Sequence, residues 1–94
     1  MMALLSDSEL ADRLAERPQW AAADGAIARE LTFPDFAAAI AFVDRVAEVA
    51  EAANHHPDIL LHGWNKVRLT LSTHSQGGLT DADFRLAAEV DGLA

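Results

Sequence analysis

The sequence contains no cysteine, which excludes disulfides, thiolate nucleophiles and zinc sites built on sulfur. Cations are scarce: 7 Lys and Arg stand against 15 Asp and Glu, a formal net charge of −8. Nucleic-acid backbones and anionic lipid are bound by clustered cations, so neither is an expected partner. No window approaches the run of about 20 apolar residues that a membrane span requires. Residues 1–5 show neither a basic segment nor a sustained apolar run, so no signal peptide is expected and the default location is cytoplasmic. No internal repeat, low-complexity tract or linker divides the chain, and residues 1–94 read as one domain.

Apolar residues make up 51% of the chain, too many for a disordered acidic segment, yet 20 of them are alanine. Alanine adds little buried area, so a thin core reinforced by self-association is expected.

The hydrophobic periodicity predicts a first helix over residues 7–17. Ser6 is its cap, Glu9 stands at the capping-box position, Leu5 and Leu10 form a staple, and Pro18 is the stop. Asp24-Gly25 is a two-residue hairpin turn. It joins a weak Ala-rich arm over residues 20–23 to an alternating strand through Ile27, Leu31 and Phe33, in which Arg29 is a misfit on the apolar side. A long helix is predicted over residues 34–53, with Pro34 in its first turn and Asp35 at the positive dipole end. It carries two apolar stripes, Phe36-Ile40-Val43-Ala47-Ala50 and Phe42-Val46-Val49, and ends at Asn54 and Pro57. A strand over residues 58–64 precedes a clean one in which Val67, Leu69, Leu71 and Thr73 alternate with Arg68, Thr70, Ser72 and His74. Gly77-Gly78 turns the chain into a last helix over residues 80–92, capped by Thr80 with Asp83 at the capping-box position and Leu79 and Phe84 as its staple. The order α-β-β-α-β-β-α predicts an α+β fold: a four-stranded antiparallel sheet with three helices on one face.

Three of the four histidines frame the second strand pair: His55 and His56 at the exit of the long helix, and His74 at the end of the clean strand. Imidazole, with an unperturbed pKa of about 6.5, exchanges protons near neutrality, so two or three around one cleft suit general acid–base chemistry. The ordinary alternative is a helix C-terminus stabilised by a cation. A metal site using His and Asp58 is disfavoured, because adjacent residues in extended chain point to opposite faces. His62 reads as a strand-surface residue and Glu51 as part of a solvated helix face. Trp64 reads as a core residue, a cleft wall or a stacking platform for a flat ligand. Gly77-Gly78 is followed by no phosphate-loop lysine, and no nucleophile elbow surrounds Ser72 or Ser75.

At these residues the sequence resembles the pterin-4a-carbinolamine dehydratase family. The matching pattern is Glu51, three residues, His55-His56-Pro57, six residues, Trp64, nine residues, His74, then Asp83. Asn65-Lys66-Val67, Leu71-Ser72-Thr73-His74, Gly78-Leu79-Thr80, and Phe33, Asp35 and Phe36 extend it. The resemblance implies dehydration of 4a-hydroxytetrahydropterins to quinonoid dihydropterins in pterin recycling, with no cofactor and no metal. It implies His55, His56 and His74 as the active-site imidazoles, with Asp83 supporting one of them. His55 and His74 are expected to share acid–base duty while His56 positions the pterin. Ser72 and Thr73 are expected to offer hydrogen bonds to the pterin edge, and Trp64 to set the cleft width. The resemblance also implies homodimers or homotetramers. It carries an alternative as well, a non-enzymatic role as a dimerisation cofactor of another protein.

Overall fold

Ser6 starts the first helix, α1 (Asp7–Glu16), in the computed structural model, which describes residues 3–94. The signal-peptide expectation therefore falls partly on Met1 and Met2, outside the described residues. The Ser6 hydroxyl accepts from the Glu9 N–H at 3.2 Å and the Glu9 carboxylate accepts from the Ser6 N–H at 2.9 Å, so the capping box forms. Leu10 and Leu14 of this helix, and Leu5 just before its cap, pack on the core.

Strands β1 (Ala21–Ala23) and β2 (Ala26–Thr32) follow, joined through Asp24 and Gly25. Their φ angles of 52° and 76° are the two positive values of a tight hairpin turn whose twist matches that of the strands. Helix α2 (Phe36–Ala53) is capped by Asp35, whose carboxylate accepts from the Ala38 N–H at 2.7 Å. Asp35 is thus the cap and the helix starts at Phe36, two positions later than the sequence suggested, because the Asp35 carboxylate accepts from a free helical amide and the proline side chain has no acceptor to offer. Asn54, left-handed at φ 50°, closes the helix. Strands β3 (Asp58–His62) and β4 (Lys66–Leu71) form a second hairpin, and α3 (Asp81–Leu93) ends the chain.

The sheet order is β1-β2-β4-β3, antiparallel throughout. β2 and β4 are central, paired from Ile27 with Leu71 to Thr32 with Lys66. Ile27, Leu31, Val67, Leu69 and Leu71 point to the buried side, against Ala39, Phe42, Val46 and Ala50 of α2 and Phe84, Leu86, Ala87 and Val90 of α3. Burying a side chain such as Phe42 stabilises by about 2–3 kcal/mol. Of the two stripes on α2, the one through Phe42 and Val46 is buried, while Phe36 and Ile40 of the other remain exposed. No helix of the described residues is long and apolar enough to cross a membrane.

Arg29 is placed on the apolar side, and Asp91 of α3 explains it. Oδ1 of Asp91 accepts from Arg29 Nη1 at 2.5 Å and from Trp20 Nε1 at 2.9 Å, and Oδ2 accepts from Arg17 Nη1 at 3.3 Å. One carboxylate thereby ties the exit of α1, the approach to β1 and the middle of β2 to the last turns of α3. Replacing Asp91 by Ala strands a mostly buried guanidinium and an indole N–H, so urea unfolding should report a loss of about 2–4 kcal/mol. A loss below about 0.5 kcal/mol, the range of an ordinary surface change, would contradict this role.

Candidate active site

The sheet topology decides where the histidines meet. β3 runs antiparallel to β4 with Asp58 opposite Thr70, so the start of β3 lies beside the end of β4. The exit of α2 feeds directly into that start. Residues 54–57 and 72–75, distant in sequence, therefore border one cavity of about 570 Å³. His55, His56, Pro57, Ser72, Thr73 and His74 line it, together with Asn54, Asp58 and Ser75.

His55 turns inward. Its N–H donates to Ala50 O at 3.1 Å, its side chain is only 12% exposed, and its Nε2 lies 2.6 Å from Oδ1 of Asp83. Asp83 is completely buried. It stands at the third position of α3, where its Oδ2 accepts from the Thr80 N–H at 2.9 Å, so the expected capping box is present. The same side chain caps the helix with one oxygen and meets the histidine with the other. His56 turns the other way, with Nε2 3.3 Å from Glu51 Oε1, both groups well exposed. Adjacent residues at the end of a helix thus point their rings apart, one into the protein and one to the cleft rim.

β4 stops at Leu71, and Thr73 forms a single bridge to Gly78. His74 therefore opens a 3-10 turn (His74–Gln76) instead of ending the strand, because Gly77 at φ 70° folds the chain back and its N–H donates to Thr73 O and His74 O. The turn leaves His74 exposed at the cleft, across from the α2 exit.

Two expectations are corrected here. Thr73 borders the cavity, but its hydroxyl is buried and donates to Asp83 Oδ2 at 2.8 Å, so it is not free for a ligand edge. Trp64 is neither core nor cleft wall. It sits in the turn between β3 and β4, 61% exposed and at φ 61°, a backbone conformation that bulky residues rarely adopt. The full length of β4, about 17 Å of extended chain, separates it from the cavity of its own chain. His62 is on the open sheet face, 2.6 Å from Glu30 and away from the cavity, in accord with its reading as a surface residue. Asn54, Asp58 and Ser75 line the cavity without having been selected from the sequence. Asn54 read only as a helix stop, Asp58 only as a metal ligand and Ser75 only as a nucleophile without its elbow. Their membership follows from the β3–β4 register.

His55 also borders a second cavity of about 310 Å³ with Ala53, Asp81, Ala82 and Arg85. There the hydrogen bond from Arg13, aided by the charge of Arg85, holds the Asp81 carboxyl below the usual carboxylate range despite some desolvation.

The chain matches the family described as Pterin 4 alpha carbinolamine dehydratase over residues 3–93. It is 52% identical over 90 residues, 96% of each chain, to a Chloroflexus aurantiacus protein provisionally named pterin-4-alpha-carbinolamine dehydratase. A Nocardia farcinica protein with the same provisional name is 52% identical over 91 residues, 97% of this chain and 95% of the other. Among solved structures, a transcriptional coactivator/pterin dehydratase from Brucella melitensis superposes with a TM-score of 0.92 at 34% identity, covering 98% of this chain and 99% of that one. A pterin dehydratase-like protein identified as a RuBisCO assembly factor in the alpha-carboxysome gives 0.64 at 29% identity, over 80% of this chain and 86% of that one.

Asp83→Ala removes the acceptor of three buried donors: the Thr73 hydroxyl, the Thr80 N–H and the His55 ring. Thermal and urea unfolding should show a loss of about 3–5 kcal/mol. An unchanged midpoint would mean that the carboxylate does not organise this end of the fold.

Proposed function

The chain belongs to the pterin 4 alpha carbinolamine dehydratase family, and on that premise we propose that it dehydrates a 4a-hydroxytetrahydropterin to the quinonoid dihydropterin in the cleft of His55, His56 and His74. The observation that carries this reading is the convergence of three imidazoles from two distant segments on one cavity, one of them seated on a buried carboxylate.

The chemistry asks for two proton transfers. The C4a–O bond breaks with its electron pair on oxygen, which leaves as water once an acid protonates it. The N5–H proton goes to a base, and its bonding pair forms the C4a=N5 double bond. One protonated and one neutral imidazole meet both needs. His55 and His74 take these roles, and His56, at the rim with Glu51, orients the pterin. Ser72 offers a hydroxyl at the cleft, and Pro57 stiffens the turn that carries both adjacent histidines. No cofactor or metal enters the proposed steps. The 94 residues act as one domain in the cytoplasm, within tetrahydropterin recycling.

In a coupled assay with a 4a-hydroxytetrahydropterin, His55→Ala and His74→Ala should each lower kcat by about 10²–10⁴-fold, while His56→Ala mainly raises KM. His62→Ala should match the native enzyme. Equal kcat losses at His55, His56 and His74 would overturn the division of roles. A native rate equal to the buffer blank would favour the alternative, a protein-binding role on the same fold, in keeping with two structural neighbours described as a transcriptional coactivator/pterin dehydratase and a RuBisCO assembly factor.

The reading includes a homodimer or homotetramer. Phe36 and Leu60 are 53% and 54% exposed, on the free flank of α2 and on the edge strand β3. An exposed strand edge is a template for pairing. Antiparallel pairing of two β3 edges about Leu60 would set Asp58 of each copy opposite His62 of the other, a carboxylate acceptor facing a ring that can donate. Light scattering at micromolar concentration should report a dimer or tetramer, and Leu60→Asp should shift it toward smaller species. A native monomer would contradict the assembly.

A further inference from the structure

The steps above leave two buried hydroxyls unused, those of Thr73 and Thr80. They come from different elements: Thr73 follows β4, and Thr80 caps α3. Their Oγ1 atoms are 2.7 Å apart, and Thr73 Oγ1 is also 2.8 Å from Asp83 Oδ2. A carboxylate only accepts, so Thr73 is the donor to Asp83, and a hydroxyl has one proton to give. Thr73 then has only lone pairs for Thr80, and Thr80 must donate to it. The Thr80 oxygen in turn accepts from the Ala82 N–H at 3.3 Å and from the Asp83 N–H of the capping box.

The hydrogen bonds therefore run in one direction. The first amides of α3 point to Thr80, Thr80 to Thr73, and Thr73 to Oδ2 of Asp83. The Thr80 N–H adds a second donor to that oxygen. Oδ1 is left to His55 Nε2, at 2.6 Å. An N-terminal cap needs an acceptor for the helix amides and no more. The bond from Thr73 to Asp83 adds nothing to the cap, and the acid of an ordinary capping box does not reach a histidine 28 positions away.

We propose that Thr73 and Thr80 are positioning residues that fix the direction of the His55 ring: the neutral imidazole carries its proton on Nε2, given to Asp83, and keeps Nδ1 as its proton-accepting atom. Under the dehydratase reading, on which the kinetic part of this proposal rests, His55 is then the base that takes the N5 proton, and protonation of the leaving hydroxyl falls to His74. The helix N-terminus sets the tautomer through two threonines and a carboxylate.

Two measurements on the full chain test this. Long-range ¹H–¹⁵N correlation spectra of the native protein should show neutral His55 protonated at Nε2. Thr73→Val keeps the shape of the side chain and removes the hydroxyl. It should mix the two His55 tautomers and lower kcat about tenfold with KM within about twofold, and Thr73→Ser should restore both. Neutral His55 protonated at Nδ1 in the native protein would overturn the proposal, as would a folded Thr73→Val with native tautomer and native kcat. If Thr73→Val does not fold, Thr73→Ala, which also removes the hydroxyl, is read by the same two measurements and with the same expected and overturning results. If the native protein dehydrates no pterin, the functional reading falls while the spectra still judge the threonine chain.

Discussion

The 2.6 Å contact between the ring of His55 and the fully buried carboxylate of Asp83 is the interaction on which the rest of the site depends. It joins the exit of α2 to the first turn of α3, and a buried carboxylate is tolerated only where donors surround it. Here they are the Thr73 hydroxyl, the Thr80 N–H and the imidazole itself. No buried side-chain nitrogen or oxygen among the described residues lacks a partner. A satisfied network of this kind is stiff, and it holds the His55 ring at a fixed angle to the cavity.

The opposite end of α3 repeats the device with different donors. Asp91 gathers Arg17, Trp20 and Arg29, while Asp83 gathers two threonines and a histidine. One helix is thus pinned at both ends by carboxylates, and between them Phe84, Leu86, Ala87 and Val90 fill the core. Alanine suits this architecture. Ala39, Ala50 and Ala87 are buried with almost no side-chain bulk, so the helices can lie close to the sheet and to each other. The two polar anchors matter in a chain of this size, because small domains hold only a few kcal/mol in reserve.

Much of the fold is legible in the sequence. Capping residues Ser6 and Thr80, the Asp24-Gly25 turn and the alternation of β4 are local signals, and each corresponds to a local structure. Structure departs from these local signals where distant groups compete. Asp35 took the cap that Pro34 preceded. His74 left the strand because Gly77 folds back on Thr73. Thr73 spent its proton on Asp83, and Trp64 was carried by the β3–β4 turn to the far end of the sheet. Arg29 looked like an error on an apolar face until Asp91 came to meet it.

The sequence by itself determined the elements, their order and the residue types able to exchange protons, because these follow from periodicity, capping and side-chain chemistry within a few residues. Only the tertiary structure decided which imidazole is buried on a carboxylate, which lies at the rim, and which aromatic residue is not in the cleft at all. The physical reason is strand register: placing Asp58 beside Thr70 brings residues 54–57 against residues 72–75, and no local signal encodes the pairing of segments that far apart.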